Sequence, residues 1–282
     1  SLEAIEDAGI DKEEIDYIIF ATNFGEVDVN GIPNFMPSLS ARLKGKLGIK
    51  RRDCINYDMI FGCPGWVEGL ILADTMIKAG KAKTVLVVGG ETLSRVTDPY
   101  DRNKMIFADG AGAVIVTATE DSKVGVLADN TLCDNGEELC YLENGPSLNL
   151  EHNQSQLFIR MRGRKIYEYA LKNVPDAIKA TIDKAGLDIS DIHKILIHQA
   201  NAKMDYAMIG RLFKLYGKKD YDHAISPMTI QQFGNSSVAT VPTLFDLIRK
   251  GKMDGQTFTP GSHILFTSVG AGMNINCVVY KF

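Results

Sequence analysis

An internal repeat is the feature of this sequence that most restricts its fold. The segment from Ile5 to Asp11 recurs from Ile182 to Asp188, and an apolar run follows each copy after the same spacing. Each copy reads as the end of a helix, then a turn, then a strand. A repeat of this length indicates a duplicated supersecondary unit. The sequence therefore predicts two copies of one α/β unit, with domains at residues 1–120 and 121–282.

The two halves contain strands of the kind that are covered on both faces. The runs at 84–90 and 192–198 are apolar at nearly every position, which is typical of strands that lie between two helical layers. Helical patterns alternate with these strands, and this alternation favours a largely parallel sheet in each half. We expect the two units to stack as a five-layered αβαβα sandwich with a pseudo-twofold axis.

The repeat also indicates that the first half lacks one element. In the second half, a strand pattern at 125–131 precedes a long helical pattern at 163–185. The matching strand of the first half would lie about 50 residues before Ser1. We therefore expect an N-terminal strand to be missing from the chain, and we expect the gap to fall in the interior of the first sheet. Unpaired backbone groups at such a gap would cost on the order of 1 to 3 kcal/mol each if buried.

Charge and composition exclude several classes of function. The net charge is -4 and the sequence pI is about 5.8, without a basic cluster, so neither nucleic acid nor an anionic membrane surface is an expected partner. The longest apolar runs are too short to span a bilayer, and the first residues do not read as a signal peptide. Five cysteines without a CxxC pair suit reduced thiols in the cytoplasm, and no metal site is expected.

Cys63 is the strongest candidate nucleophile. It lies between a β-rich run and an apolar helix pattern, and Pro64 suits the first position of that helix. The flanking Gly62 and Gly65 leave room for a sharp turn and for the close approach of a substrate. Because a helix N-terminus favours a thiolate, we expect a lowered pKa for Cys63. The alternative is a buried structural cysteine, which is common but requires neither the two glycines nor the helix start.

Two polar residues of the second half occupy positions that match the surroundings of Cys63. His198 follows the buried strand at 192–198, at the carboxyl end where open α/β sheets bind ligands. Asn235 stands at the predicted start of a helix at 236–250, in roughly the position that Cys63 holds in the first copy. Taken alone, His198 fits a core histidine and Asn235 fits a helix N-cap. The duplication instead predicts that all three side chains converge near the pseudo-twofold axis.

Taken in order, these motifs resemble those of the 3-oxoacyl-(acyl-carrier-protein) synthase III enzymes, which have the thiolase-like fold. The resemblance implies a catalytic triad of Cys63, His198 and Asn235, with an oxyanion hole formed by the backbone N–H groups of Cys63 and Ala271. Synthases I and II would instead need a second histidine at the position of Asn235. The resemblance covers essentially the whole chain and lies in Gly62-Cys63-Pro64-Gly65, His198-Gln199-Ala200-Asn201, Gly234-Asn235-Ser236-Ser237 and Gly270-Ala271-Gly272.

The resemblance also implies the reaction. The Cys63 thiolate would attack an acyl-CoA primer to give an acyl-enzyme. Malonyl carrier protein would then lose CO2, and His198 Nε2 and the Asn235 amide would donate hydrogen bonds to the enolate oxygen before the carbanion attacks the acyl group. The CoA thioester is a substrate, so no cofactor is implied. Two alternatives stay open: the same chemistry in a specialised polyketide or pigment pathway, and a non-catalytic module that binds acyl carrier protein.

The binding residues follow from the same resemblance. The family commonly has an arginine where this chain has Lys203. A lysine there would keep the positive charge for the carrier protein or the CoA phosphates but not the bidentate geometry of an arginine. The alternative is that Lys203 is a solvated lysine on a helix. Met36 corresponds to a residue that crosses the interface of a homodimer into the partner's acyl pocket. The residues that the resemblance assigns to CoA or carrier-protein binding are Arg102, Gln199, Asn201 and Lys203.

Overall fold

The structure is a computed structural model that describes residues 1–121 and 124–282. The strands in this part of the chain are β1 Tyr17–Thr22, β2 Ile55–Ile60, β3 Thr84–Glu91, β4 Gly110–Thr117, β5 Gly125–Cys133, β6 Leu142–Gly145, β7 Phe158–Met161, β8 Ile192–Ile197, β9 His263–Gly270 and β10 Asn274–Lys281. The helices are α1 Leu2–Ala8, α2 Leu39–Leu47, α3 Gly65–Lys78, α4 Gly163–Lys184, α5 Ala202–Leu215, α6 Ile230–Phe233 and α7 Thr240–Arg249.

The strands of the two halves form separate sheets. The first sheet has the order β2-β1-β3-β4, and the second has the order β5-β10-β9-β8. Strand β1 is parallel to β2 and β3, and β8 is parallel to β9, but β4 and β10 run antiparallel to their neighbours. The expectation of largely parallel sheets is therefore wrong for the second half. The connection between β9 and β10 is too short for a crossover, so those strands can only pair as a hairpin.

Five layers stack as the duplication predicts. Helices α1 and α2 cover the outer face of the first sheet, where Ile5 and Leu47 pack with buried side chains of β1 and β3. Helices α4 and α5 cover the outer face of the second sheet. Helices α3 and α7 lie between the sheets, and one apolar cluster joins them to both, for example through Trp66 on α3, Leu244 on α7 and Phe266 on β9. The αβαβα sandwich is confirmed.

The sheet order indicates where a first-half counterpart of β5 would pair. Strands β1, β3 and β4 of the first sheet correspond to β8, β9 and β10 of the second, and β5 pairs with β10 at the sheet edge. A first-half counterpart of β5 would therefore pair with β4 at the edge of its sheet, not in the interior. The interior strands β1 and β3 are hydrogen-bonded on both sides. The expected cost of unpaired groups inside the sheet does not apply.

Candidate active site

Cys63 lies on the turn between β2 and α3, next to the loop that follows β9. Gly62 has φ +72°, a conformation that side chains other than glycine rarely adopt. A Cβ atom on Gly62 would come within 3.0 Å of the Ala271 nitrogen, and one on Gly270 would come within 2.7 Å of the Cys63 nitrogen. These two glycines therefore allow the backbones of the two halves to approach each other at the thiol. Pro64 caps α3, which begins at Gly65.

The thiol is at the wall of a cavity. The cavity has a volume of about 310 Å³, and its lining includes Cys63, Asn23, Ser237 and Ala271, together with apolar side chains such as Phe107. A cavity of this size can hold a short acyl chain or the end of a thioester. The alternative of a structural cysteine inside a close-packed core does not fit this position, because one side of the residue faces open space.

Burial changes the expected ionisation of Cys63. Desolvation raises the pKa of Cys63 to about 11, and hydrogen bonds from the Ser237 hydroxyl and from the Cys63 backbone N–H oppose that rise. The expected lowering of the pKa is therefore wrong, because desolvation of the thiol by the surrounding protein outweighs the favourable groups around it, although the residue is only partly buried. The resting cysteine is a neutral thiol at pH 7. Attack on a thioester requires a nearby group to accept its proton.

The backbone segments that carry the N–H groups of Cys63 and Ala271 lie side by side. Gly62 and Gly270 bring the two backbones together at this point, as the close approaches given above indicate. In the described part of the chain, neither N–H donates a turn or loop hydrogen bond to another backbone group. The Ala271 carbonyl accepts a hydrogen bond of 2.8 Å from Asn274 Nδ2, which fixes the following turn. The arrangement can stabilise a tetrahedral oxyanion.

Asn235 is buried with its amide held in one orientation. Its backbone N–H donates to Ile106 O at 2.7 Å, and its carbonyl accepts from Ala108 N at 2.9 Å. Its side-chain Oδ1 accepts from Ser237 N at 2.9 Å. Because the oxygen accepts this bond, Nδ2 is the end of the amide left to donate. Helix α7 begins later, at Thr240, so Asn235 is not the N-cap of that helix.

The partners of His198 fix its tautomer. His198 Nδ1 lies 2.7 Å from Thr240 Oγ1, and Thr240 Oγ1 donates to Ser237 O at 2.9 Å. A hydroxyl has one proton, so the Thr240 oxygen accepts from His198 and Nδ1 carries the ring hydrogen. Burial lowers the pKa of His198 to about 4, so the ring is neutral at pH 7. In the resting state Nε2 therefore has a free lone pair, and the expected donation from Nε2 to the enolate stays a prediction.

Ser237 connects the three predicted catalytic residues, and sequence reasoning missed it. Its hydroxyl faces Cys63, its N–H donates to Asn235, and its carbonyl accepts from Thr240, which in turn bonds to His198. Its φ of 53° is unusual for a residue with a side chain, and such backbone strain occurs mostly where the surroundings require it. The only signal in the sequence is its place two residues after Asn235.

The peripheral candidates differ in how they are placed. Arg102 and Lys203 are exposed, and Met36 is 87% exposed. Gln199 is fully buried: its Nε2 donates to Ile197 O and its Oε1 accepts from Thr229 N, so both ends of the amide are engaged within the protein. Asn201 is the N-cap of α5, where its Oδ1 accepts from two backbone N–H groups of the first turn.

The described residues lack the features of two other protein classes, metal-binding and membrane-spanning proteins. They contain no cluster of three or more histidine, cysteine or acidic side chains placed to hold a metal ion. No helix among them combines the length and the apolar character that crossing a membrane requires. The five cysteines are all unpaired. The polar side chains around Cys63 that are described above carry thiol, imidazole, amide and hydroxyl groups.

Comparison with known proteins gives a consistent result. The family described as 3-oxoacyl-[acyl-carrier-protein (ACP)] synthase III matches residues 57–135, and its C-terminal domain matches residues 182–282. The chain is 35% identical to beta-ketoacyl-[acyl-carrier-protein] synthase III of Erythrobacter litoralis, over 100% of this chain and 82% of that protein. It is 34% identical to the synthase III 1 of Vibrio vulnificus, over 99% and 81%. The crystal structure of 3-oxoacyl-[acyl-carrier-protein] synthase III from Aquifex aeolicus superposes with a TM-score of 0.82 at 30% identity, over 100% of this chain and 82% of that one.

Proposed function

Because this chain belongs to the 3-oxoacyl-[acyl-carrier-protein] synthase III family, we propose that Cys63, His198 and Asn235 carry out its decarboxylative condensation. The protein is an acyltransferase that condenses an acyl-CoA primer with malonyl carrier protein, in fatty acid synthesis. The names of its relatives do not favour the specialised pathway that the sequence left open. The observation that carries the residue assignment is the hydrogen-bond network centred on Ser237, which links all three side chains.

In the first half-reaction, His198 activates the nucleophile. Its free Nε2 lone pair accepts the proton of the Cys63 thiol, directly or through one bound water, and the resulting thiolate attacks the thioester carbonyl of acyl-CoA. The N–H groups of Cys63 and Ala271 stabilise the oxyanion. When the C–S bond to CoA breaks, the departing CoA thiolate takes the proton from His198. Because burial lowers the pKa of His198 to about 4, the ring is a weak base, and the imidazolium exists only briefly before it passes the proton to the departing CoA thiolate.

In the second half-reaction, Asn235 binds the developing enolate. Its Nδ2 donates to the thioester oxygen of malonyl carrier protein while the carboxylate leaves as CO2. The carbanion attacks the acyl-Cys63 carbonyl, a C–C bond forms, and the C–S bond to Cys63 breaks. The Cys63 thiolate then takes a proton from solvent. His198 can supply a second donor in its other tautomer, in which Nε2 carries the ring hydrogen. In that tautomer Nδ1 accepts a hydrogen bond from the Thr240 hydroxyl, which then no longer donates to Ser237 O.

The first test is the identity of the acylated residue. Protein incubated with a mixture of acyl-CoAs should gain the mass of one acyl group, and peptide mapping should place it on Cys63. The adduct should disappear when malonyl carrier protein is added. Cys63→Ala is the matched control and should gain no mass. An adduct on Cys54, Cys133, Cys140 or Cys277 would contradict the assignment, and the absence of any adduct would support a non-catalytic carrier-binding module.

A homodimer is part of the same proposal. Strand β2 forms an edge of its sheet, and Ile55 and Ile60 at its two ends are exposed, as are Phe35 and Met36 in the loop before α2. An exposed apolar edge strand is an unfavourable surface for a monomer and a suitable one for pairing with a second copy. Sedimentation analysis of the wild type and of Ile60→Lys tests this proposal. A wild-type protein that sediments as a monomer at micromolar concentration would contradict it.

Exposed cations are proposed to attract the acidic substrates. Arg102 and Lys203 both reach solvent, and neither forms an ion pair within the described residues. We assign them to the CoA phosphates or to the carrier protein, where each contributes mainly through long-range attraction. Gln199 and Asn201 act in this assignment by shaping the segment before α5, not by direct contact. The unpaired cysteines suit a reducing compartment, so we propose a cytoplasmic enzyme.

A further inference from the structure

A buried carboxylate lies behind the nucleophile, and the proposed reaction does not use it. Glu91 ends β3 and is 8% exposed. Its Oε1 accepts two hydrogen bonds of 2.6 Å from Asn23, one from the backbone N–H and one from side-chain Nδ2. Thr22 donates a longer bond to the other oxygen. Burial raises the pKa of Glu91 to about 7, and Oε1 can accept both bonds in either protonation state, because the proton can reside on the other oxygen.

Glu91 determines which end of the Asn23 amide faces the active site. Since Glu91 accepts from Nδ2, the amide nitrogen and not the oxygen lies in the space between Glu91 and Ser237. The second hydrogen of Nδ2 then donates to Ser237 Oγ at 2.5 Å. Without the carboxylate, the amide could rotate and present its oxygen to the serine. The orientation of Asn23 is therefore a consequence of the buried acid.

The direction of the Ser237 proton follows from the same chain of bonds. Ser237 Oγ already accepts from Asn23, so its own hydrogen is free to point to another acceptor. Cys63 lines the same cavity as Ser237, and the Ser237 hydroxyl lowers the pKa of the Cys63 thiol, as a donor to the sulfur does. We infer that Glu91 is a positioning residue which, through Asn23, directs the Ser237 hydroxyl to Cys63 and so favours formation of the thiolate. This inference rests on the proposed role of Cys63 as the nucleophile.

The charge of Glu91 acts in the opposite sense. A negative charge near the thiol raises the pKa of Cys63, but this effect is smaller than that of the Ser237 hydrogen bond. The two effects can be separated by substitution. Glu91→Gln removes the charge, and its single amide oxygen can still accept both bonds from Asn23, because both reach the same oxygen of Glu91. Glu91→Ala removes the charge and releases Asn23.

The experiment measures the rate at which iodoacetamide alkylates Cys63, with the modified peptide identified by mass spectrometry. The rate follows the thiolate fraction and requires no acyl-CoA. We expect Ser237→Ala to slow alkylation about tenfold, the effect of losing one hydrogen bond to a charged group, and Glu91→Ala to slow it to a similar extent. Glu91→Gln should recover most of the rate. In the Glu91→Ala/Ser237→Ala double variant, the loss should equal that of Ser237→Ala alone, because both changes break one pathway.

A matched control comes from α3. Glu68 is also a partly buried acid, and it accepts a bond of 2.7 Å from Thr131, without any link to Ser237. Glu68→Ala should alkylate at the wild-type rate. Thermal unfolding of each variant identifies any that does not fold. If Glu91→Ala does not fold, Asn23→Ala and the Asn23→Ala/Ser237→Ala double variant test the same chain of hydrogen bonds, because Asn23 links Glu91 to Ser237.

Several results would overturn the inference. One is alkylation of Cys63 at the wild-type rate in Glu91→Ala. Another is a rate in Glu91→Gln as low as in Glu91→Ala. A third is a rate in the double variant reduced by the product of the two single-variant factors. Failure of the proposed function is a different observation: the alkylation pattern would hold while no acyl-CoA modifies Cys63. If acylation occurs and the alkylation pattern fails, the proposed reaction stands and Glu91 is a structural residue.

Discussion

Replacement of Asn235 is the perturbation that best separates the two half-reactions. The side chain performs two tasks in the structure: Oδ1 accepts from Ser237 N at 2.9 Å, and Nδ2 is left to donate to the enolate. Asn235→Ala removes both. Asn235→Asp keeps an oxygen for Ser237 and replaces the donor with an acceptor. Comparison of the two variants distinguishes loss of the donor from loss of the local fold.

The magnitude follows from the number of donors lost. One hydrogen bond to a developing oxyanion contributes about 10² to 10³ in rate, so both variants should release CO2 from malonyl carrier protein slower by that factor. Asn235→Ala should in addition lose about 1 to 3 kcal/mol of stability, because the Ser237 N–H is then buried without an acceptor. Acyl transfer to Cys63 should change much less, since its oxyanion is stabilised by backbone N–H groups that neither variant removes.

The assay follows release of labelled CO2 and formation of the acyl-enzyme in the same preparation. Cys63→Ala is the reciprocal control and should form no acyl-enzyme, while decarboxylation can continue. If Asn235→Asp decarboxylates at the wild-type rate, Asn235 supports only the local backbone and the assignment of the enolate donor fails. If acyl transfer falls as far as decarboxylation in Asn235→Asp, the two half-reactions are not separated in the way that the geometry predicts.

Three further predictions concern other groups of the site. Thr240→Val should slow acyl-enzyme formation about 10²-fold, whereas Thr240→Ser should retain the rate, because the hydroxyl fixes the His198 tautomer. Rapid-quench mass spectrometry measures the rate, and an unchanged rate in Thr240→Val would refute that tautomer. Burial raises the pKa of Glu91 from 4.5 to about 7, so between these pH values the folded state retains a proton that the unfolded state releases. As the pH rises through this range, the free energy of unfolding of the wild type should fall by on the order of 3 kcal/mol more than that of Glu91→Gln. Equal pH profiles of the two proteins in denaturant titrations would contradict this. Lys203→Glu should raise the KM for malonyl carrier protein at low salt and leave acylation by acyl-CoA less affected, whereas unchanged carrier kinetics would make Lys203 a solvated charge.

The sequence by itself determined the fold and the identity of the main side chains. The repeat that starts at Ile5 and Ile182 predicted the five layers correctly. Each copy could be recognised because helix, turn and strand patterns depend on residues that are close together in the chain. The setting of Cys63 at a glycine-flanked helix start was readable for the same reason. The hairpin between β9 and β10, and the edge position of β5, depend on pairing between distant strands and were not readable.

The tertiary structure alone decided how the site is protonated. The pKa of Cys63 depends on how much water the folded chain removes from the thiol, and local sequence carries no measure of that burial. The tautomer of His198 depends on Thr240, and the direction of the Ser237 hydroxyl depends on Asn23, which lies far from it in sequence. Hydrogen-bond direction is a property of a complete network, because each hydroxyl or amide has a fixed number of hydrogens to share among partners that only folding brings together.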